Sequence, residues 1–202
     1  EKEDFNVELQ NFSCIDWKNH GAELNFNDKK IGVKPSYYTS GCDLEAEYVK
    51  ISSIDELEKS NFKNKIAVLY EDLVKEQIMP KNFPFYNPEP HQKIIKLLEE
   101  KTPSAIVTIV EDDISILEDG DFNIPSVYVK KENGKEILYN KGRIKLKIKT
   151  ERKESRGGNV IARINSHKKK KIVITAHMDT KYGTPGALDN GTGIAILLIL
   201  SS

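Results

Sequence analysis

Apolar and polar residues alternate along Val7-Glu8-Leu9-Gln10 and again along Ala22-Glu23-Leu24-Asn25-Phe26, the period of strands with one covered face. Asn27 and Asp28 follow as turn residues. Glu45–Ile51 predicts a third strand, and Ser53 opens a short helix over Ile54–Leu57 with acidic residues in its first turn. Lys65–Tyr70 is a compact apolar run of the kind that fills a buried strand. Pro80, Pro84, Pro88 and Pro90 then punctuate an irregular loop. Ile94, Ile95, Leu97 and Leu98 recur at helical spacing, Ala105–Val110 and Ile124–Val129 predict two more buried strands, and Lys131–Leu138 reads as a helix broken at Gly134.

The pattern changes near Thr150. Ile144–Ile148 alternates with lysines, Ser155–Gly158 reads as a loop, and Asn159–Ile164 begins a new sheet. The basic run His167–Lys171 predicts a solvated turn between two strands rather than a nucleic-acid contact. The chain therefore divides at about residue 150, with no internal repeat and no low-complexity segment.

Composition narrows the function classes. Hydrophobic residues are 38% and charged residues 31%, with 31 basic against 31 acidic side chains. A net charge of zero gives no electrostatic case for nucleic acid or an anionic membrane. The apolar run Ile194–Leu200 is far below the roughly 20 residues that span a bilayer. Cys14 and Cys42 are too few for a disulfide framework, and their position fits a bond between them as well as two separate thiols. Glu1, with no signal-like segment after it, reads as a processed or trimmed start, which leaves localisation open.

The chemistry concentrates in Lys171–Thr180 and Gly186–Gly193. A continuous β-branched run ending at polar residues predicts a central parallel strand, and ligands gather beyond the carboxyl ends of such strands. His177 and Asp179, one residue apart, share a side of an extended segment. A metal-ligating histidine needs a partner on its other ring nitrogen, and Asp179 is spaced for that task. Asp189, 12 residues beyond His177 and after a turn with Gly183, Pro185 and Gly186, carries two oxygens that can hold two cations. Taken singly, His177 reads equally as a hydrogen-bonded structural residue, and Asp189-Asn190-Gly191 as a turn with Asn190 or Thr192 as helix cap.

In order, His177-Met178-Asp179 and Gly186-Ala187-Leu188-Asp189-Asn190-Gly191-Thr192-Gly193, preceded by Asn159-Val160-Ile161-Ala162, resemble the zinc metallopeptidases that include bacterial leucyl aminopeptidases, glutamate carboxypeptidase II and the transferrin receptor. The resemblance implies that His177 ligates one zinc ion, Asp189 bridges two, Asp179 orients His177, and the Asp189–Asn190 peptide is cis. Lys65–Val68, Pro103–Val107 and Ile124–Val127 resemble the protease-associated domain that many of these peptidases carry as an insertion. The family completes its site with a Glu-Glu pair, a further acid and a last histidine, whereas the 13 residues after Asp189 hold neither acid nor histidine. The resemblance thus implies an N-terminal fragment, without the general-base glutamate and inactive by itself.

The expected fold class is α/β: an incomplete phosphorylase/hydrolase-like zinc peptidase portion over residues 151–202, after a mostly β protease-associated domain over residues 1–150. The expected activity of the parent is removal of N-terminal residues from a peptide substrate by water activated between two zinc ions. The all-round apolar helix at Ile194–Leu200 predicts self-association where nothing covers it. Two rivals are a non-catalytic binding or scaffold module and a metal-free relative. A dinucleotide-binding reading of Gly191-Thr192-Gly193 fails at Ile196, where a third glycine is required.

Overall fold

The computed structural model describes residues 5–164, 167–181 and 183–201; Glu1, read above as a trimmed start, lies outside them. In chain order the elements are β1 (Asn6–Phe26), β2 (Lys29–Ile31), β3 (Lys34–Pro35), β4 (Cys42–Ala46), β5 (Tyr48–Ile51), α1 (Ile54–Lys59), β6 (Ile66–Leu69), α2 (Glu89–Lys101), β7 (Ala105–Val110), β8 (Ser126–Lys130), α3 (Lys131–Tyr139), β9 (Ile144–Arg163) and α4 (Thr192–Leu200). A single 3₁₀ turn, Glu71–Val74, follows β6. The described residues fall into two compact units, Cys14–Ser155 and a smaller one drawn from the stretches before and after it. No helix among them is long and apolar enough to cross a membrane.

The larger unit, Cys14–Ser155, is built around a five-stranded sheet in the order β3-β8-β7-β6-β5. Strands β5 to β8 are parallel neighbours, and β3 closes one edge antiparallel to β8. Both faces are apolar because successive strand residues point to opposite sides. Ala67 and Leu69 of β6, with Ile106 and Val110 of β7, meet Leu57 of α1 and Ile94, Ile95 and Leu98 of α2. Ile66 and Val68, with Ala105, Val107 and Ile109, meet the second sheet, β2-β1-β9-β4, through Leu24, Phe26, Ile144 and Leu146, and α3 through Ile137. The order of layers is helix, sheet, sheet. Burying each such aliphatic side chain contributes roughly 1.5–3 kcal/mol.

Local signals set several joints. Asn27 and Asp28 both take positive φ, at 47° and 65°, and join β1 to β2 as a two-residue hairpin. Ser53 caps α1 by accepting from the Glu56 N–H at 3.3 Å, while Glu56 accepts from the Ser52 N–H at 2.7 Å. That bond and a second from the Ser52 hydroxyl, at 2.9 Å, hold the Glu56 carboxyl below its usual range. Both cysteines are free thiols, and burial pushes Cys42 up to about 11.

The structure revises the expected elements in five places. Val7–Gln10 and Ala22–Phe26 are ends of the single strand β1, because paired backbone carries Gly21 through at φ +99°. Glu45–Ile51 is two strands in different sheets: β4 pairs with β9 and β5 with β6, with the break at Glu47. Ser155–Gly158 is not a loop and Asn159 opens no new sheet; both lie in β9, where Gly157 faces the ring of Phe12. Gly134 does not break α3. It is buried, and a Cβ there would stand 2.8 Å from Ile109 Cγ2, so the glycine lets the helix close on β7. Finally, Ile172–Ala176 forms no strand: no described strand pairs with it, and Ile172 and Val173 are exposed.

Two outcomes follow from this packing. Gly134→Ala gains about 1 kcal/mol in helix propensity but overpacks Ile109 by roughly 1–3 kcal/mol, so urea unfolding should show a net loss of about 1 kcal/mol. In an Ile109→Ala background, which removes the three atoms nearest the new Cβ, the same change should stabilise. A chain cut to Cys14–Ser155 retains both apolar clusters whole and should melt cooperatively by circular dichroism; a gradual, probe-dependent loss of signal would refute this.

Candidate metal centre

The site lies in the smaller unit. Beyond the exposed run Ile172–Ala176, the chain carries His177 and Asp179 into a tight turn in which Thr184 N–H donates to the Lys181 carbonyl at 3.0 Å. The Thr180 and Thr184 hydroxyls lie 2.6 Å apart and brace it. Gly186 has φ +64°, and a Cβ there would meet Thr180 at 2.8 Å; a side chain would be strained on both counts. From Gly186 the chain turns back through Ala187–Gly191, closed by the Gly191 N–H donating to the Gly186 carbonyl at 2.9 Å. The Asp189–Asn190 peptide is cis. Asn190 Oδ1 accepts from the Gly193 N–H at 3.1 Å and so satisfies an orphan donor in the first turn of α4.

This folding brings the three expected residues together. His177 Nε2 lies 2.9 Å from Asp189 Oδ1. On the other side of the ring, Nδ1 is 2.9 Å from the Asp179 carbonyl and 3.3 Å from Asp179 Oδ1. The carbonyl is the nearer partner, and nothing in the residue pattern signals a main-chain acceptor there. A carbonyl only accepts, so Nδ1–H donates to it. The Asp189 carboxylate also only accepts, so without a metal the 2.9 Å contact suits a protonated ring whose Nε2–H donates to Asp189. Nε2 would offer a lone pair there only on giving up that proton to a cation. The imidazole is half-exposed and both carboxylates lie almost wholly in solvent, at 90% and 88%. Among the described residues no group of three or more His, Cys, Asp or Glu side chains is placed to hold a metal ion.

The hydrogen bond to the Asp179 carbonyl, foremost, raises the His177 pKa above the usual histidine range against the loss of solvation that comes next, and the carboxylates of Asp179 and Asp189 add to the rise. A raised value favours the folded form below the unfolded histidine range, and that contribution disappears as pH rises through the folded value. In metal-free protein the His177 ring protons should therefore titrate above ordinary histidine by NMR, and Asp189→Asn should lower the midpoint. A midpoint indifferent to that substitution would contradict the 2.9 Å pairing.

Known proteins resemble the chain at two levels. Residues 159–202 match peptidase family M28. No curated protein sequence matches. Among solved structures, the aminopeptidase from Aneurinibacillus sp. strain AM-1 superposes with a TM-score of 0.70 at 20% identity, over 98% of this chain and 48% of that one. BSAP, a zinc aminopeptidase from Bacillus subtilis, gives 0.65 at 21% identity over 98% and 47%. A peptidase M28 precursor from Shewanella amazonensis SB2B gives 0.64 at 19% over 97% and 50%. The likeness establishes a shared mixed α/β fold, and the chain spans about half the length of these structures.

Proposed function

We propose that this chain, whose residues 159–202 match peptidase family M28, is part of a zinc-dependent exopeptidase that removes N-terminal residues from peptides. The observation that carries the reading is the convergence of His177 Nε2 and Asp189 Oδ1 at 2.9 Å, with Nδ1 held on the far side by Asp179. The donor set fits zinc, which takes imidazole nitrogen and carboxylate oxygen at about 2.0–2.2 Å in tetrahedral arrays. Two such donors around one ion stand roughly 3.3 Å apart by that geometry, so this pair needs to open by only a few tenths of an ångström. Asp189 has two carboxylate oxygens to share between two ions, and the exposure of both acids leaves their outer sides open to further ligands.

Bound zinc would lower the pKa of a coordinated water and polarise a substrate carbonyl. The rest falls to the protein. His177 holds its proton at Nδ1 against Asp179, which fixes the tautomer and aims Nε2. Asp189 is kept beside it by the Gly186 turn and the Asn190 cap. Asp179 is thus a positioning residue, and His177 and Asp189 are the ligands. A tetrahedral site takes four donors, so the remaining ligands and the proton acceptor are other residues. On this reading the 1–150 region is a protease-associated domain, and residues 151–202 open a phosphorylase/hydrolase-like catalytic domain.

A second reading, a non-catalytic binding module, is favoured by the Cys14–Ser155 unit, which encloses its own two apolar clusters. Zinc titration of the 202-residue chain, followed beside hydrolysis of leucyl p-nitroanilide, separates the two, because only the peptidase reading expects zinc at His177 and Asp189. With only two ligands, the 202-residue chain should retain little zinc after dialysis and fall roughly 10²–10⁴ below an intact aminopeptidase for want of a proton acceptor. The zinc it binds under titration should be lost in His177→Ala and Asp189→Ala. Tight binding of two equivalents that survives both substitutions would overturn the ligand assignment. On α4, Ile196, Leu198, Ile199 and Leu200 are all exposed, which supports association with a second copy where nothing else covers them; light scattering that finds only monomer at high concentration would exclude this.

A further inference from the structure

The loop between the 3₁₀ turn Glu71–Val74 and α2 carries features that the peptidase reading does not use. Its tip, Asn82-Phe83-Pro84-Phe85-Tyr86-Asn87-Pro88, has no charged residue. Yet it exposes three aromatic rings: Phe85 at 88%, Tyr86 at 54% and Phe83 at 40%. Exposed aromatic surface on this scale carries a hydration cost that a merely connecting loop would shed.

The tip is also held. Asn87 Nδ2 donates to the Lys81 carbonyl at 2.9 Å and closes the loop across its base. Gln92 Nε2 donates to the Asn87 carbonyl at 2.7 Å, and the Lys81 N–H donates to Asp119 Oδ2 at 2.9 Å. Buried His91 accepts from the Met79 N–H at Nδ1, at 3.3 Å, so Nε2 carries the proton towards Glu76 Oε1 at 3.1 Å. The Tyr86 ring stands edge-on to His91 at 6.3 Å, and Phe83 packs edge-on to Phe85 at 5.8 Å. Much of the ordering entropy that binding would otherwise cost is already spent in this arrangement.

The surrounding charge selects the partner. Lys75 is paired with Asp72 at 2.6 Å and Lys81 with Glu99 at 2.8 Å. The Glu76 carboxylate meets the His91 ring against which Tyr86 stands, and it forms no ion pair with a lysine among the described residues; Glu89 opens α2 directly after the tip. Open rings beside carboxylates match a guanidinium, which stacks its plane on an aromatic face and forks its N–H groups to a carboxylate. An anionic lipid surface is disfavoured by the same charges.

We propose that the loop 82–88 is a docking element for an arginine-bearing polypeptide segment, with Phe85 and Tyr86 as the stacking platform and Glu76 as the counter-charge. The proposal does not depend on zinc binding or peptidase activity. The test follows amide NMR spectra of the full chain titrated with a tetra-arginine amide peptide, beside a tetra-glutamate control. The expected result is shifts confined to residues around the loop, weakening with salt. Affinity should fall at least about threefold in Phe85→Ala/Tyr86→Ala and in Glu76→Gln, with amide positions elsewhere unmoved in each variant. No binding, or binding undiminished in the variants, overturns the proposal. So does binding of phosphatidylglycerol vesicles in place of the peptide, or a dimer by sedimentation that the double substitution dissolves.

Discussion

Burial on both faces of the β5–β8 sheet is the constraint from which most of the larger unit follows. A parallel sheet needs cover on each side, and here the two covers differ: α1 and α2 on one, a second sheet and α3 on the other. Strand side chains alternate, so β6 must be apolar at every position, as Ile66-Ala67-Val68-Leu69 is. The same demand accounts for Gly134. With a sheet at this depth on one side and a helix turn on the other, a methyl group is too much.

The smaller unit obeys a different logic, because its site rests on main-chain geometry more than on burial. His177 is aimed by a carbonyl, Asp189 by a glycine turn and a side-chain cap, and none of the three site residues is buried. Such an arrangement holds an imidazole in one tautomer without a hydrophobic wall behind it. It also keeps the carboxylates accessible to incoming ligands.

What the residues disclosed divides along that line. Buried strands at Ile66–Leu69, Ala105–Val110 and Ser126–Lys130 and the amphipathic α2 were legible, because continuous burial and helical spacing leave compositional traces. The His177–Asp179–Asp189 grouping was legible through spacing and resemblance alone. Long-range pairing was not. Whether Gly157 and Gly158 make a loop or a strand depends on Phe12 and Leu9 far away in the chain, and whether Gly134 ends a helix depends on Ile109. The split of Glu45–Ile51 was invisible for the same reason, as each half answers to a different sheet. Ile172–Ala176 shows the reverse failure: a run with every local mark of a buried strand stays unpaired when no described strand lies beside it.

The smaller unit is assembled from two stretches separated by the whole of Cys14–Ser155. Bringing its halves together from an unfolded chain would mean closing a loop of well over a hundred residues, an entropic cost of roughly 4 kcal/mol. Within the larger unit, however, the entering and leaving strands already meet: Trp17 Nε1–H and the Thr150 hydroxyl both donate to the Thr39 carbonyl at 2.9 Å, and His20 lies 3.6 Å from Glu151. Once those contacts form, the long closure has become a short one. Folding of Cys14–Ser155 would thereby bring the two outer stretches of chain together like a clasp.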